Sequence, residues 1–177
     1  MNKISHKSLS QAANSFIIQF KKDERDFCVG MQSNKGDVLL LTMKQAFAKF
    51  KISRNFQLKF DTGLGMVRFE PLMAIIQDLD LNLDSASIVL NLEMNISKVY
   101  GNGKFLSAAS KIAWMLTTNT NKFSNVRIYD SYACSALKSM GLLSSNHTYR
   151  DYLKAWDCVF EKQKSLIEDV IADKILR

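Results

Sequence analysis

Asp130 is the sole carboxylate between Met94 and Arg150, a span that carries Lys98, Lys104, Lys111, Lys122, Arg127 and Lys138 and ends at Arg150. A solvated helical surface ordinarily mixes both signs of charge. So long a run without acids marks a surface suited to a polyanion, with one acid kept for a purpose. The apolar pair Val126 and Ile128 leads into Tyr129-Asp130-Ser131, and a helix is expected over Tyr132–Met140 with Gly141 as its C-terminal cap. Asp130 therefore sits at or beside a helix N-terminus. There it could equally serve as a capping residue, worth about 1 kcal/mol.

Upstream, Gly101-Asn102-Gly103 is a tight turn before Lys104, and the small residues Ser107, Ala108, Ala109 and Ser110 precede Lys111. Small side chains let a phosphate or another backbone come close, and amides near a helix start can donate to that phosphate, with Lys104 adding charge. Close helix packing is the alternative for the alanines. A second acid-free basic run, Lys44, Lys49, Lys51, Arg54 and Lys59, is either another phosphate-facing patch or an ordinary solvated face.

The totals narrow the classes. A chain of 177 residues with one Pro and seven Gly fits a single compact domain without linkers. A net charge of +7 favours a polyanionic partner. Cys28, Cys134 and Cys158 are odd in number and widely spaced, which excludes a disulfide framework and a Cys-x-x-Cys pair and fits a reducing cytosol. His6 and His147 are isolated, so neither a metal nor an iron–sulfur cluster is expected, and no cofactor motif is present. Gly63-Leu64-Gly65 lacks the residues of a P-loop or a dinucleotide fingerprint. The N-terminal residues have no sustained apolar core and no stretch approaches about 18 apolar residues, so a cytoplasmic protein without a membrane partner is expected.

Periodicity predicts a mainly α protein of six to eight helices. Leu9, Ala12, Ala13, Phe16, Ile17 and Phe20 follow helical spacing, before a charged break at Lys21–Asp26. A turn at 32–37 precedes a helix with Leu40, Met43, Ala46, Phe47 and Phe50 on one face. Phe56–Phe60 alternates as a strand would and Met66–Phe69 could return beside it, so at most a small β-hairpin is expected there. Glu70-Pro71 starts a further helix. Asp84 or Ser85 caps the next, which buries Ile88, Val89, Leu92, Ile96 and Val99 and ends at Gly101. Phe105, Leu106, Ala109, Ile112, Ala113 and Leu116 form the stripe of the following helix, a polar linker runs over 117–125, and one long C-terminal helix, or two with a bend, begins near Tyr149.

The pattern Ser107-Ala108-Ala109-Ser110-Lys111, with Ile128-Tyr129-Asp130-Ser131 beyond it, resembles that of the helix-hairpin-helix DNA glycosylases. The likeness extends to the 8-oxoguanine glycosylase group and especially to short bacterial members with a Ser-x-x-Ser-Lys…Ile-Tyr-Asp-Ser pattern, some associated with phage defence. It covers roughly Ser97 to Gly141. In the family a Gly-x-Gly lies just before the lysine and the turn reads Pro-Val-Asp. Here Gly103 lies eight positions before Lys111 and the turn reads Ile-Tyr-Asp.

The resemblance implies a compact helix-hairpin-helix glycosylase-like fold in one domain, with an N-terminal helical part over 1–80 and the glycosylase-like core over 84–177. It implies a monomer that binds duplex DNA, flips a modified base into a pocket and cleaves its N-glycosidic bond to leave an abasic site. Asp130 would stabilise the oxocarbenium-like transition state and orient the nucleophile. Lys111 would either attack the sugar carbon, giving a Schiff base and strand cleavage, or contact phosphate while water attacks. Gly103, Lys104, Ser107, Ser110, Arg127 and Tyr129 would meet the DNA, and Trp114, Tyr132 and Tyr100 are further aromatic candidates for the pocket wall. Hypermodified phage cytosine, such as a glucosylated hydroxymethyl form, is the first target considered and oxidised guanine the next. Two other classes stay open: a DNA-binding module of the same fold without catalysis, and a basic helical protein-interaction domain, which would show no salt-sensitive DNA binding.

Overall fold

The computed structural model of the chain describes residues 5–19, 24–53, 56, 69–101, 103–118 and 126–175. Among these the protein is mainly α, with eight helices: α1 (His6–Gln19), α2 (Arg25–Ser33), α3 (Gly36–Lys49), α4 (Glu70–Gln77), α5 (Ser85–Tyr100), α6 (Leu106–Thr117), α7 (Ser131–Ser139) and α8 (Tyr149–Ile175). None of the described residues lies in a strand. Of the hairpin expected over Phe56–Phe60 and Met66–Phe69 only Phe56 and Phe69 are described, neither in a strand; Asn102 and residues 119–125 of the expected linker lie outside the described residues, and Thr117 belongs to α6.

The chain groups into two compact units, one formed by residues 1–25 with 131–177 and the other by the continuous stretch 26–130. In the continuous unit, α5 follows its sequence closely. The Asp84 side chain accepts from the amides of Ala86 and Ser87 at 3.0 and 3.1 Å, capping the helix. Ile88, Val89, Leu92 and Ile96 are buried, while Val99, in the last turn, is exposed. Gly101 ends the helix at φ 87°, ψ −175°, a region open essentially to glycine.

α6 is buried on most of its circumference, including Ala108, Ala109, Ser110, Ile112, Ala113, Met115, Leu116 and Thr117, so it behaves as a core helix rather than an amphipathic one. Beside it lies an aromatic cluster. Phe56 is fully buried and stacks on Phe47 and Phe105, with ring centroids 6.1 and 5.7 Å away, while the rings of Tyr100 and Phe69 meet it edge-on at 4.9 and 6.1 Å. Tyr100 is thus a half-buried member of this cluster. Burial pushes its phenol up to about 12, partly opposed by a hydrogen bond to the Leu72 backbone in the first turn of α4.

α2 replaces part of the expected charged break. Its Gly30 lowers helix propensity, yet a Cβ there would stand 2.8 Å from Thr42 Cγ2 and 3.1 Å from Asn34 Nδ2. The close approach of α2 to α3 therefore requires glycine, and burial of Cys28 and Met31 supplies the tertiary contact that propensity does not show. α3 ends in a Schellman arrangement: Ile52 N–H donates to Phe47 O at 2.7 Å and Lys51 N–H to Ala48 O at 3.2 Å, with Lys51 left-handed at φ 56°.

In the other unit, α7 ends the same way at Gly141, φ 70°, with Leu142 N–H donating to Leu137 O at 3.0 Å. α8 is one continuous helix. It opens on a reciprocal cap: Thr148 N–H and Oγ1–H donate to Asp151 Oδ2 at 2.9 and 2.7 Å, and Asp151 N–H donates to Thr148 Oγ1 at 3.2 Å. The bond from the Thr148 backbone, followed by that from its hydroxyl, holds the Asp151 carboxyl below the usual range. A lowered native value means that this stabilisation is in force above the unfolded aspartate range, near pH 4, and is lost as pH falls through the native value. Thr148→Val removes the hydroxyl's share. Its stability, measured by urea midpoints, should fall less steeply than the wild type's between about pH 5 and about pH 2.

Candidate nucleic-acid interface

Within the 26–130 unit, hydrogen bonds from four side chains tie α6 to residues distant in sequence. At its N-terminus Phe105 provides no side-chain cap, and the Glu93 carboxylate from α5 accepts the Leu106 N–H instead. At its C-terminus Gln32 Nε2, from α2, donates to the carbonyls of Met115, at 2.9 Å, and Thr118. Between the ends, Ser110 and Lys111 reach out in different directions.

Ser110 is fully buried. Its Oγ accepts the Tyr129 N–H at 2.9 Å and donates to Ser107 O at 3.1 Å. This clasp fixes the segment 126–130 against α6, and Val126 at its start is buried. Asp130, half-buried, follows Tyr129 directly, as Lys111 follows Ser110. The structure therefore brings the lysine turn and the aspartate segment together, one residue on from a direct hydrogen bond. Ser110 does so as a positioning residue, since an enclosed hydroxyl with both roles taken acts on the protein's own backbone.

Lys111 Nζ donates to Phe50 O at 3.0 Å. Phe50 is the C-cap of α3, where the last carbonyls lack helical partners and a cation is favoured by the helix dipole. The Phe50 ring in turn meets Trp114 edge-on at 6.1 Å, one turn along α6 from Lys111. Trp114 is half-buried there.

The other expected contacts lie at the near end of α6. Gly103 and Lys104 are exposed and Ser107 is half-buried. A Cβ at Gly103 would come within 2.6 Å of the Phe105 ring, so the protein's own packing demands that glycine. Arg127 and Tyr129 are half-buried on the clasped segment. Tyr132, with 88% of its surface exposed, belongs to α7 in the other unit.

No family model matches the chain, and no curated protein or solved structure is found similar to it.

Glu93 changes the electrostatics that the acid-free run implied. It lies just outside that run, and its carboxylate takes an amide at the helix start that was open to a phosphate. Burial raises its pKa and the Leu106 N–H partly opposes the rise. A raised native value means that stability is greater below the unfolded glutamate range, near pH 4.3, and declines as pH rises through the native value. The Glu93 side chain thus sits at the N-terminus of α6, the end of that helix that carries Ser107 and follows Lys104. The signal for it was weak: Glu93 borders the buried stripe of α5, four positions after Val89 and next to Leu92. Among the described residues no group of three metal-ligating side chains occurs and no helix is long and apolar enough to cross a membrane.

Proposed function

We propose that the chain is a DNA glycosylase that hydrolyses the N-glycosidic bond of a flipped-out modified base and leaves an abasic site. The clasp between Ser110 Oγ and Tyr129 N–H carries this reading, because it joins the turn bearing Lys111 to the segment bearing Asp130 within one compact unit. Cleavage of this bond builds positive charge on the deoxyribose, and a fixed carboxylate stabilises it. In this mechanism the C1′–N bond breaks with its electron pair leaving on the base, which takes up a proton from solvent, while water forms the C1′–O bond and gives its proton to Asp130, whose carboxylate faces the developing oxocarbenium ion. Tyr129 and Arg127 lie beside Asp130 on the side from which DNA approaches, and Lys104 holds a flanking phosphate.

The bond from Lys111 Nζ to Phe50 O favours water over lysine as the nucleophile. An amine tied to a backbone carbonyl must give up that bond before it can attack a sugar carbon. Lys111 then positions α6 on α3, and the product is an intact abasic strand. The substrate is a modified base, with hypermodified phage cytosine ahead of 8-oxoguanine, and the setting is a cytoplasmic monomer acting in antiviral defence.

A non-catalytic DNA-binding module is the second reading. The Glu93 carboxylate at the start of α6 favours it, because the phosphate grip of a hairpin is then displaced. Base release on duplexes containing 8-oxoguanine, uracil or modified phage cytosines separates the two. Alkali-dependent breaks support excision, whereas salt-sensitive binding with no release from any duplex supports the module.

Both readings give Glu93 the same effect on binding. Glu93→Gln retains an acceptor for Leu106 N–H and removes a negative charge near the approaching phosphates. It should tighten duplex binding by about two- to five-fold at low salt, measured by fluorescence anisotropy, and the gain should shrink as salt is added.

A further inference from the structure

We propose that Cys134 is a site of reversible oxidation by hydrogen peroxide, with His147 as its base, a chemistry that the glycosylase reading does not use. Both residues belong to the split unit. Cys134 Sγ lies 3.8 Å from His147 Nε2, and the other ring nitrogen, Nδ1, lies 2.9 Å from Ser144 O. A carbonyl only accepts, so Nδ1 carries a hydrogen and donates it there. In the neutral ring Nε2 is then an acceptor, and the Cys134 thiol is its donor. The imidazole is held in place from both sides along the chain. Ser144 Oγ donates to Asn146 O at 3.0 Å, and Thr148, the residue after His147, is fixed in the reciprocal cap of α8. A nucleophile within reach of a base, with the base oriented by a third group, is the arrangement that activates a thiol. Cys134 is also the fourth residue of α7, at the end of a helix whose dipole favours the negative charge that grows on sulfur as its proton leaves.

Access sets the class of reagent. Cys134 is only 7% exposed, so a bulky electrophile is shut out while a molecule as small as hydrogen peroxide can reach the sulfur. The sulfur attacks one peroxide oxygen with its own electron pair and forms an S–O bond. The O–O bond breaks with its pair on the other oxygen, which takes the thiol proton by way of His147 Nε2 and departs as water. Sulfur is oxidised by two electrons to the sulfenic acid, and the peroxide is reduced by two. Cys28 is fully buried and Cys158 half-buried. Access alone would therefore make Cys158 the first thiol to react.

That ranking provides the test. The reduced full chain is given a short pulse of hydrogen peroxide, the excess is removed with catalase, and the chain is unfolded in an alkylating reagent. Peptide masses then give the fraction of each thiol that escaped alkylation. A positioned base contributes about 10²-fold or more, and low access offsets part of it, so Cys134 should be consumed about ten-fold faster than Cys158. His147→Asn sets an amide N–H where Nδ1 stood, keeping the bond to Ser144 O, and removes the base. It should slow consumption of Cys134 about ten-fold or more and leave Cys158 unchanged, with folding checked by circular dichroism. Consumption of Cys158 ahead of Cys134, or of neither, would overturn the proposal without any variant being needed. A folded His147→Asn that loses Cys134 at the wild-type rate overturns it as well. None of these outcomes depends on base excision.

Discussion

Asp130→Asn is expected to lower base release by about 10³-fold while leaving duplex affinity unchanged or slightly raised. Removing one preorganised electrostatic group aimed at developing charge typically lowers turnover by 10²–10³, and here the same substitution also removes the acceptor of the water's proton. Asn keeps the shape of Asp and can still cap α7, so a loss of rate without a loss of fold separates chemistry from stability. The measurement is single-turnover release on whichever duplex of the panel is cleaved, alongside anisotropy and a thermal melt. Lys111→Ala is the companion. If water is the nucleophile, this variant retains measurable release and gives no change in strand cleavage without alkali. Release by Asp130→Asn within ten-fold of wild type would sink the mechanism. A parallel loss of melting temperature and rate would instead identify Asp130 as a cap.

Phe56→Ala should destabilise the continuous unit by about 3–5 kcal/mol, the range for deleting a large buried aromatic side chain. Phe56 stands at the centre of the ring cluster, in contact with Phe47, Phe69, Tyr100 and Phe105, and its removal leaves a cavity that four rings cannot readily close. Phe105 is the residue before α6 and Tyr100 the last of α5, so the loss falls on the joint that sets the angle at which α6 starts. Phe56→Leu keeps most of the apolar volume and should lose less than half as much. Chemical denaturation reads both. A loss below about 1 kcal/mol for Phe56→Ala would show that the cluster is not packed as described.

Local signals carried much of the fold. The helical stripes of α3, α5 and α6, the cap at Asp84, the glycine stops at Gly101 and Gly141 and the long final helix all follow from periodicity and capping chemistry within a few residues. α2 did not follow from them, because Gly30 argues against a helix unless Thr42 is known to press against it. The site divides along the same line. The acid-free field, Asp130 and Lys111 were legible as residues, whereas their partners were not: Ser110 meets Tyr129 across 19 positions and Lys111 meets Phe50 across 61. Such bonds exist only once the core has formed. Small residues before Lys111 fit a phosphate grip and a helix packed on all sides equally well, and burial assigns Ser110 to the second. Tyr100, half-buried, joins the ring cluster around Phe56.

The division of the chain into a continuous unit and a split one sets an order on synthesis. Everything that the 26–130 unit contains has left the ribosome once Asp130 has, so the aromatic cluster, the pinned α6 and the Ser110 clasp can form while α7 and α8 are still being made. The split unit cannot close in the same way. α1 emerges before the continuous unit, and α8, the helix it packs against, after it. Between those events the apolar face of α1 waits without its partner for more than a hundred residues of elongation. The nascent chain can therefore carry Asp130, the proposed catalytic residue, in a finished unit while α1 still exposes an apolar face.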